Sequence, residues 1–285
     1  MKMAEPTTAE STAESTAEPT AAQSTLVHYE VKDGVAYLTL DDPPANTYTH
    51  EMMRQLDEAI LKARFEKDAY VIVLRGNGDK FFCAGANINM LKSSDPYFKY
   101  YFCLHANETL NRLEQTPKLV IAALDGHTVG GGLEIAMAAD ILIARKGSGK
   151  MGLPEINLGV LPGTGGTQRL ARRVGKTISI DLMITGRLID FEEGQRLGII
   201  NYIFEGDNAS FAEQIHKYAK EFTPPNKAAK AAGRIKRSVQ SGWEVPFESG
   251  LAIERELQQQ LFESPDAKEG LDAYVSKRKP EFRGW

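Results

Sequence analysis

Two glutamates set among glycines are the residues of this chain best placed to do chemistry. Glu134 follows the run Gly130-Gly131-Gly132, and Glu155 closes the stretch Gly-Leu-Pro-Glu at 152–155. Three consecutive glycines lose much backbone entropy on ordering, so they fit a place where main chain must come close to something else. The small apolar stretch 133–139 reads as a buried helix opening on them. A helix start leaves N–H groups unpaired and partly positive, which suits an anionic oxygen. Glu134 stands one helical turn beyond Gly131, so its carboxylate can face the same spot as that N–H. Two carboxylates around such a backbone suit proton transfer next to a carbonyl. A lone glutamate on a helix is ordinarily a surface or paired group. Here the neighbours are glycine and apolar residues, where an unpartnered charge is costly.

Other chemistries fit the residues poorly. Gly-Ser-Gly-Lys at 147–150 lacks the first glycine and the Ser/Thr of a phosphate loop, and 163–168 lacks the third glycine of a dinucleotide fingerprint. The histidines at 28, 50, 105, 127 and 216 are scattered without metal-ligand spacing, so no metal is expected. There is no Gly-x-Ser-x-Gly elbow, and His127, beside the glycines, reads as a structural turn residue. A net charge of −4 gives no hint of nucleic-acid binding. Two cysteines, Cys83 and Cys103, are too few for a disulfide framework and suit a reducing, cytoplasmic setting. No run approaches the length a membrane span needs.

The elements that must position the glutamates follow from pattern. Residues 1–25 repeat Ala-Glu-Pro-Thr and Ala-Glu-Ser-Thr with four Glu and one Lys, and are expected to be a disordered leader with no assigned function. The folded part is expected over 26–208, followed by a helical region over 209–285. Stretches 27–31 and 35–40 alternate around Asp33-Gly34 as a hairpin. Residues 50–65 carry a helical apolar stripe, 70–74 and 118–124 read as buried strands, and 140–144 as the strand before Glu155. Strand–helix–strand repetition implies a largely parallel sheet. Residues 92–114 read as a mobile loop, then a helix holding an aromatic cluster from Tyr97 to Phe102. Helices are expected at 178–185, 209–222, 226–240, 246–263 and 265–278.

Three segments, FFCAGANINML (81–91), AALDGHTVGGGLEIAMAADI (122–141) and GLPEINLGVLPGTGGTQRL (152–170), resemble the enoyl-CoA hydratase/isomerase (crotonase) superfamily in order and spacing, within a similarity spanning about 27–282. The resemblance implies an α/β fold: a crotonase-like spiral of repeated strand–strand–helix turns with a C-terminal helical layer that covers the site, assembled as a homotrimer or a hexamer of two trimers. It implies an acyl-CoA thioester substrate, with coenzyme A as part of the substrate and no separate cofactor, metal, nucleic acid or membrane. By resemblance, the N–H groups of Ala86 and Gly131 hold the thioester oxygen. Glu134 and Glu155 carry the proton chemistry, and Gly163 helps position water. Ala45, Ala84, Ala86, Asn87 and Ile88, with Tyr274 and Lys277 of the C-terminus, contact coenzyme A. The region of the aromatic cluster shapes the acyl pocket. Two features depart from the family: Pro43-Pro44 stand where a basic residue is frequent, and one extra residue lies between the glutamates. Asn87 replaces the usual Asp and is expected to cap the helix after it.

The expected reaction is hydration of a 2-enoyl-CoA to a 3-hydroxyacyl-CoA. Double-bond isomerisation, or dehydration in a branched or aromatic-degradation pathway, are the alternatives within the family. A non-catalytic CoA-ester or RNA-binding protein on the same fold is the alternative of another class, against which the near-neutral body and the paired glutamates argue.

Overall fold

The computed structural model describes residues 24–285, so the leader expected at 1–25 lies outside the described residues except for its last two. The chain opens with the hairpin β1 (Val27–Lys32) and β2 (Val35–Leu40), turned by Asp33 and Gly34 at φ 51 and 80 as their residue types favour. α1 (His50–Phe65), capped by the Thr49 side chain, leads to β3 (Val71–Gly76) and the short β4 (Phe81–Cys83). Two helices follow, α2 (Ile88–Ser93) and α3 (Pro96–Gln115). Asn87 caps α2 through Met90, as expected, whereas the mobile loop read at the start of 92–114 is helical in both its parts. Asp95 caps α3 through Phe98, and Pro96 suits the first helical position.

Then come β5 (Leu119–Leu124), β6 (His127–Val129), α4 (Gly131–Met137), β7 (Ile141–Arg145) and β8 (Lys150–Gly152). A 3₁₀ turn at Glu155–Leu158, α5 (Gly166–Val174), α6 (Lys176–Thr185), β9 (Ile189–Asp190), α7 (Phe191–Arg196) and β10 (Tyr202–Phe204) complete the core. The strands form two sheets, one ordered β1-β2-β3-β5-β7-β10 and one ordered β4-β6-β8-β9. Three times the chain leaves the large sheet for the small one and then enters a helical segment: β3 to β4, β5 to β6 and β7 to β8. This is the expected spiral of strand–strand–helix turns.

The large sheet is parallel after its first strand, and its central strands β3 and β5 are apolar on both faces, which is why they read as continuous runs rather than alternating ones. One face packs Leu38, Leu40, Ile72 and Leu74 with Met52, Met53, Leu56 and Ile60 of α1. The other packs Val35, Tyr37, Val71, Val73 and Ile121 with Phe211, Ile215 and Ala219 of α8 (Asn208–Lys220). The small sheet escaped the sequence reading, because runs of two or three residues carry no measurable period. Pattern alone makes 127–129 a turn and puts Glu155 straight after the 140–144 strand. The structure corrects both: 127–129 is β6, and β8 intervenes before Glu155. His127 is structural, its Nδ1 accepting from the Lys150 N–H of the neighbouring strand at 3.0 Å.

Three further helices end the chain: α9 (Ala229–Trp243), α10 (Phe247–Phe262) and α11 (Pro265–Val275). α9 is anchored by Lys236 Nζ, 2.8 Å from the Asp140 carboxylate, both largely buried. α10 packs on α9 and α11 on α10. The last residues fold back, with Asp266 accepting from the N–H groups of Arg283 and Gly284 at 2.7 and 2.8 Å. Among the described residues no helix is long and apolar enough to cross a membrane.

Candidate active site

The expected site residues come off three neighbouring parallel strands. β4 ends before Ala86, β6 before Gly131 and β8 before Glu155, with β6 paired to both of the others. Three segments far apart in sequence thus emerge side by side. Glu134 joins them from one turn inside α4.

The turns after β4 and β6 approach closely. A β-carbon placed on Gly85 would stand 3.1 Å from the Gly131 nitrogen, and one on Gly132 would collide with the Cys83 carbonyl. Glycine is therefore required at both places, and at Gly85 the φ of 94 demands it again. Neither the Ala86 nor the Gly131 N–H has a backbone or side-chain acceptor among the described residues. Two adjacent main-chain donors are thus left for a ligand oxygen.

Glu134 is 2% exposed. Its Oε1 accepts from the N–H groups of Thr164 and Gly166 at 2.7 and 2.6 Å, so the carboxylate is held in one orientation. Burial nevertheless raises its pKa above the ordinary carboxylate value, opposed by those two amides, the Thr164 hydroxyl and the nearby Arg169. Glu155 opens the 3₁₀ turn and lies across the glycines: a β-carbon on Gly130 would be 3.1 Å from its Oε1. Its Oε2 is buried without a partner among the described residues. Burial first, and then the charge of Glu134, push Glu155 up to about 7. The glutamates therefore face one space and repel one another, so one proton is shared between two dissimilar carboxyls near neutrality.

Gly163 is beside this space, but its own amide does not reach Glu134. Its carbonyl accepts from Asn107 Nδ2 at 3.1 Å, and a β-carbon there would lie 3.3 Å from Cys103 Sγ of α3. The residues that hold Glu134, Thr164 and Gly166, went unnoticed in the sequence, although the glycine-rich turn containing them was visible. Tyr48 was missed as well. It is fully buried, its hydroxyl is 3.1 Å from Thr164 Oγ1, and it stacks on Phe102.

Of the residues expected at coenzyme A, Ala45, Ala84, Asn87 and Ile88 cluster around the Ala86 turn. The Ala45 carbonyl accepts from Ala84 N–H, and Ile88 is exposed. Tyr274 and Lys277 stand apart. Tyr274 is 85% exposed, and Lys277 lies just past α11 at φ 51. In the aromatic cluster Phe102 is core, whereas Tyr97, Tyr100 and Tyr101 are exposed. Cys83 and Cys103 are free thiols, and no group of side chains among the described residues could hold a metal.

Residues 30–284 match the family model described as enoyl-CoA hydratase/isomerase. A probable enoyl-CoA hydratase of Bacillus subtilis (strain 168) is 35% identical over 253 residues, covering 88% of this chain and 95% of the relative. The 2,3-dehydroadipyl-CoA hydratase of Escherichia coli (strain K12) is 34% identical over 256 residues, again 88% and 95%. The crystal structure of an enoyl-CoA hydratase from Geobacillus kaustophilus HTA426 superposes with a TM-score of 0.89 at 42% identity, covering 92% of this chain and 98% of that one.

Proposed function

Because the chain belongs to the enoyl-CoA hydratase/isomerase family, we propose that it hydrates 2-enoyl-CoA thioesters to 3-hydroxyacyl-CoA at the space between Glu134 and Glu155. The observation that carries this reading is the pair of unlike, mutually repelling carboxyls beside two unclaimed main-chain donors.

The thioester oxygen docks on the N–H groups of Ala86 and Gly131. As water adds to the β-carbon, negative charge moves onto that oxygen, where the two amides stabilise it without reorganising. Glu134, fixed through Oε1, orients the water and takes its proton on the other oxygen. Glu155, whose carboxyl burial and the charge of Glu134 raise to about 7, supplies a proton to the α-carbon from its unpartnered side. Both carboxyls are needed for addition of water, whereas moving a double bond needs a single proton carrier; the presence of both beside the same glycines favours hydration. The substrate is the only place coenzyme A enters, and the turn of Ala45, Ala84, Asn87 and Ile88 supplies its pantetheine end with main chain. Gly163 bounds the water side of the space.

Association completes the reading. Ile156, Leu158, Val160, Leu161, Ile180 and Ile184 are exposed apolar side chains on the 3₁₀ turn, the loop after it and α6. Their burial between copies supports a homotrimer, alone or doubled to a hexamer, in which Tyr274 and Lys277 reach coenzyme A bound to a neighbour. The two free thiols suit a cytoplasmic setting.

The test follows the loss of enoyl-thioester absorbance across 2-enoyl- and 3-enoyl-CoA esters of varied length. Hydration of 2-enoyl esters is expected, and Glu134→Gln and Glu155→Gln each lose most of it while still binding the thioester. An active Glu155→Gln enzyme removes the role given to that residue. Turnover of 3-enoyl esters alone makes the chain an isomerase.

A further inference from the structure

Resting on the hydratase reading, we infer that Tyr48 is a positioning residue that sets the two oxyanion amides and the Glu134 carboxylate in register with one another. Its contacts reach all three. Its main chain brackets Ala86, with Tyr48 N–H donating to the Gly85 carbonyl and the Tyr48 carbonyl accepting from Asn87 N–H, both at 2.9 Å. Its ring tip lies directly under Gly131, where any added β-carbon would collide with the hydroxyl. That hydroxyl is 3.1 Å from Thr164 Oγ1, and Thr164 donates its own N–H to Glu134. The ring is wholly buried and stacked on Phe102 of α3, with centroids 5.7 Å apart. One residue thus touches the turn after β4 through its main chain, and the start of α4 and the loop before α5 through its side chain.

The proton directions follow from the surroundings. Burial, and then the charge of Glu134, hold the Tyr48 phenol protonated far into alkaline solution. The protonated phenol can donate to Thr164 Oγ1, and in that arrangement the Thr164 hydroxyl proton is left for Glu134, whose pKa that hydroxyl lowers. The other titratable or charged groups facing Glu134 are Glu155 from the 3₁₀ turn, Arg169 from α5 and Cys103 from α3. Removing the phenol hydroxyl changes none of these, so its effect on Glu134 is separable from theirs.

The experiment compares Tyr48→Phe, Thr164→Val, Thr164→Ser and the double variant Tyr48→Phe/Thr164→Val with the unaltered chain, reading kcat, KM and the pH profile on a short 2-enoyl-CoA. Tyr48→Phe is expected to lower kcat about tenfold, the loss of one buried hydrogen bond, with KM changed less than about twofold. The acid limb moves to higher pH, because the Thr164 hydroxyl, no longer held by the phenol, is a less firmly oriented donor to the ionised form of Glu134. Thr164→Val behaves likewise, Thr164→Ser recovers most of its loss, and the double variant is little worse than either single one, since both cut one relay. A Tyr48→Phe enzyme with unchanged kcat, or one slowed with its acid limb unmoved, overturns the inference while leaving hydration by the unaltered chain intact. If Tyr48→Phe fails to fold, the comparison of Thr164→Val with Thr164→Ser decides: equal rates and equal acid limbs overturn it. No hydration by the unaltered chain sinks the functional reading and this inference with it.

Discussion

Glu155→Gln separates function from stability, because the two are expected to move in opposite directions. In the folded chain the Glu155 carboxyl is raised from 4.5 to about 7, through burial and the neighbouring Glu134. Between those two values the folded state holds a proton that the unfolded state has released, so stability falls as pH rises through the window and stays low above it. The upward shift corresponds to up to about 3 kcal/mol of destabilisation at pH 8. Glutamine carries no charge and removes that slope. It introduces a buried amide beside an oxygen that already has no partner, at a cost of about 1 kcal/mol that does not depend on pH. The stability difference between variant and parent should therefore grow in the variant's favour by up to about 3 kcal/mol between pH 4 and pH 8, roughly 6–12 °C in Tm for a chain of this size. Urea titrations at several pH values, or thermal scans, read it directly, and the same preparation should have lost most hydratase activity. Parallel stability curves across that range would refute the burial and the charge coupling on which the acid role rests.

Three other outcomes follow from the same geometry. The pH profile of kcat/KM should be a bell for a carboxyl pair holding one proton, with its alkaline limb at about 7, where burial places Glu155; a limb that stays in place in Glu155→Gln would assign it elsewhere. Gly131→Ala drives a methyl group into the Tyr48 hydroxyl, so it should cost about 10²-fold or more in kcat by displacing one oxyanion donor, with thioester affinity as the control for gross misfolding. Lys236→Met strands Asp140 in a buried setting and should destabilise the fold by about 3–5 kcal/mol in urea titrations, with Asp140→Asn in the same chain recovering part of the loss.

The large sheet and its helices were legible because burial on both faces writes long apolar runs, as at 71–74 and 119–124, and because α1 carries a clear stripe. Asn87 as a cap was legible for a local reason: its side chain bonds an N–H three residues on. The glutamates stood out by type and by the glycines beside them. What pattern could not give was the small sheet, since β4, β6 and β8 each have three residues and their pairing is wholly long-range. The clamp on Glu134 was hidden for a related reason. It is made by main-chain N–H groups, and any residue type but proline at 164 could donate one. Tyr48 was hidden because a tyrosine in a loop gives no sign of burial until the segments around it meet.

That small sheet also explains why the connection between the two glutamates can vary in length without disturbing them. Adjacent parallel strands stand about 4.8 Å apart whatever joins them, so β4, β6 and β8 act as rungs whose spacing is indifferent to the length of the connections. The turn between β7 and β8, with Lys146 and Gly147 exposed, absorbs added length at the periphery. Sequence drift there, or along the outer face of α3, can proceed while the geometry of the reacting groups stays pinned to the ladder.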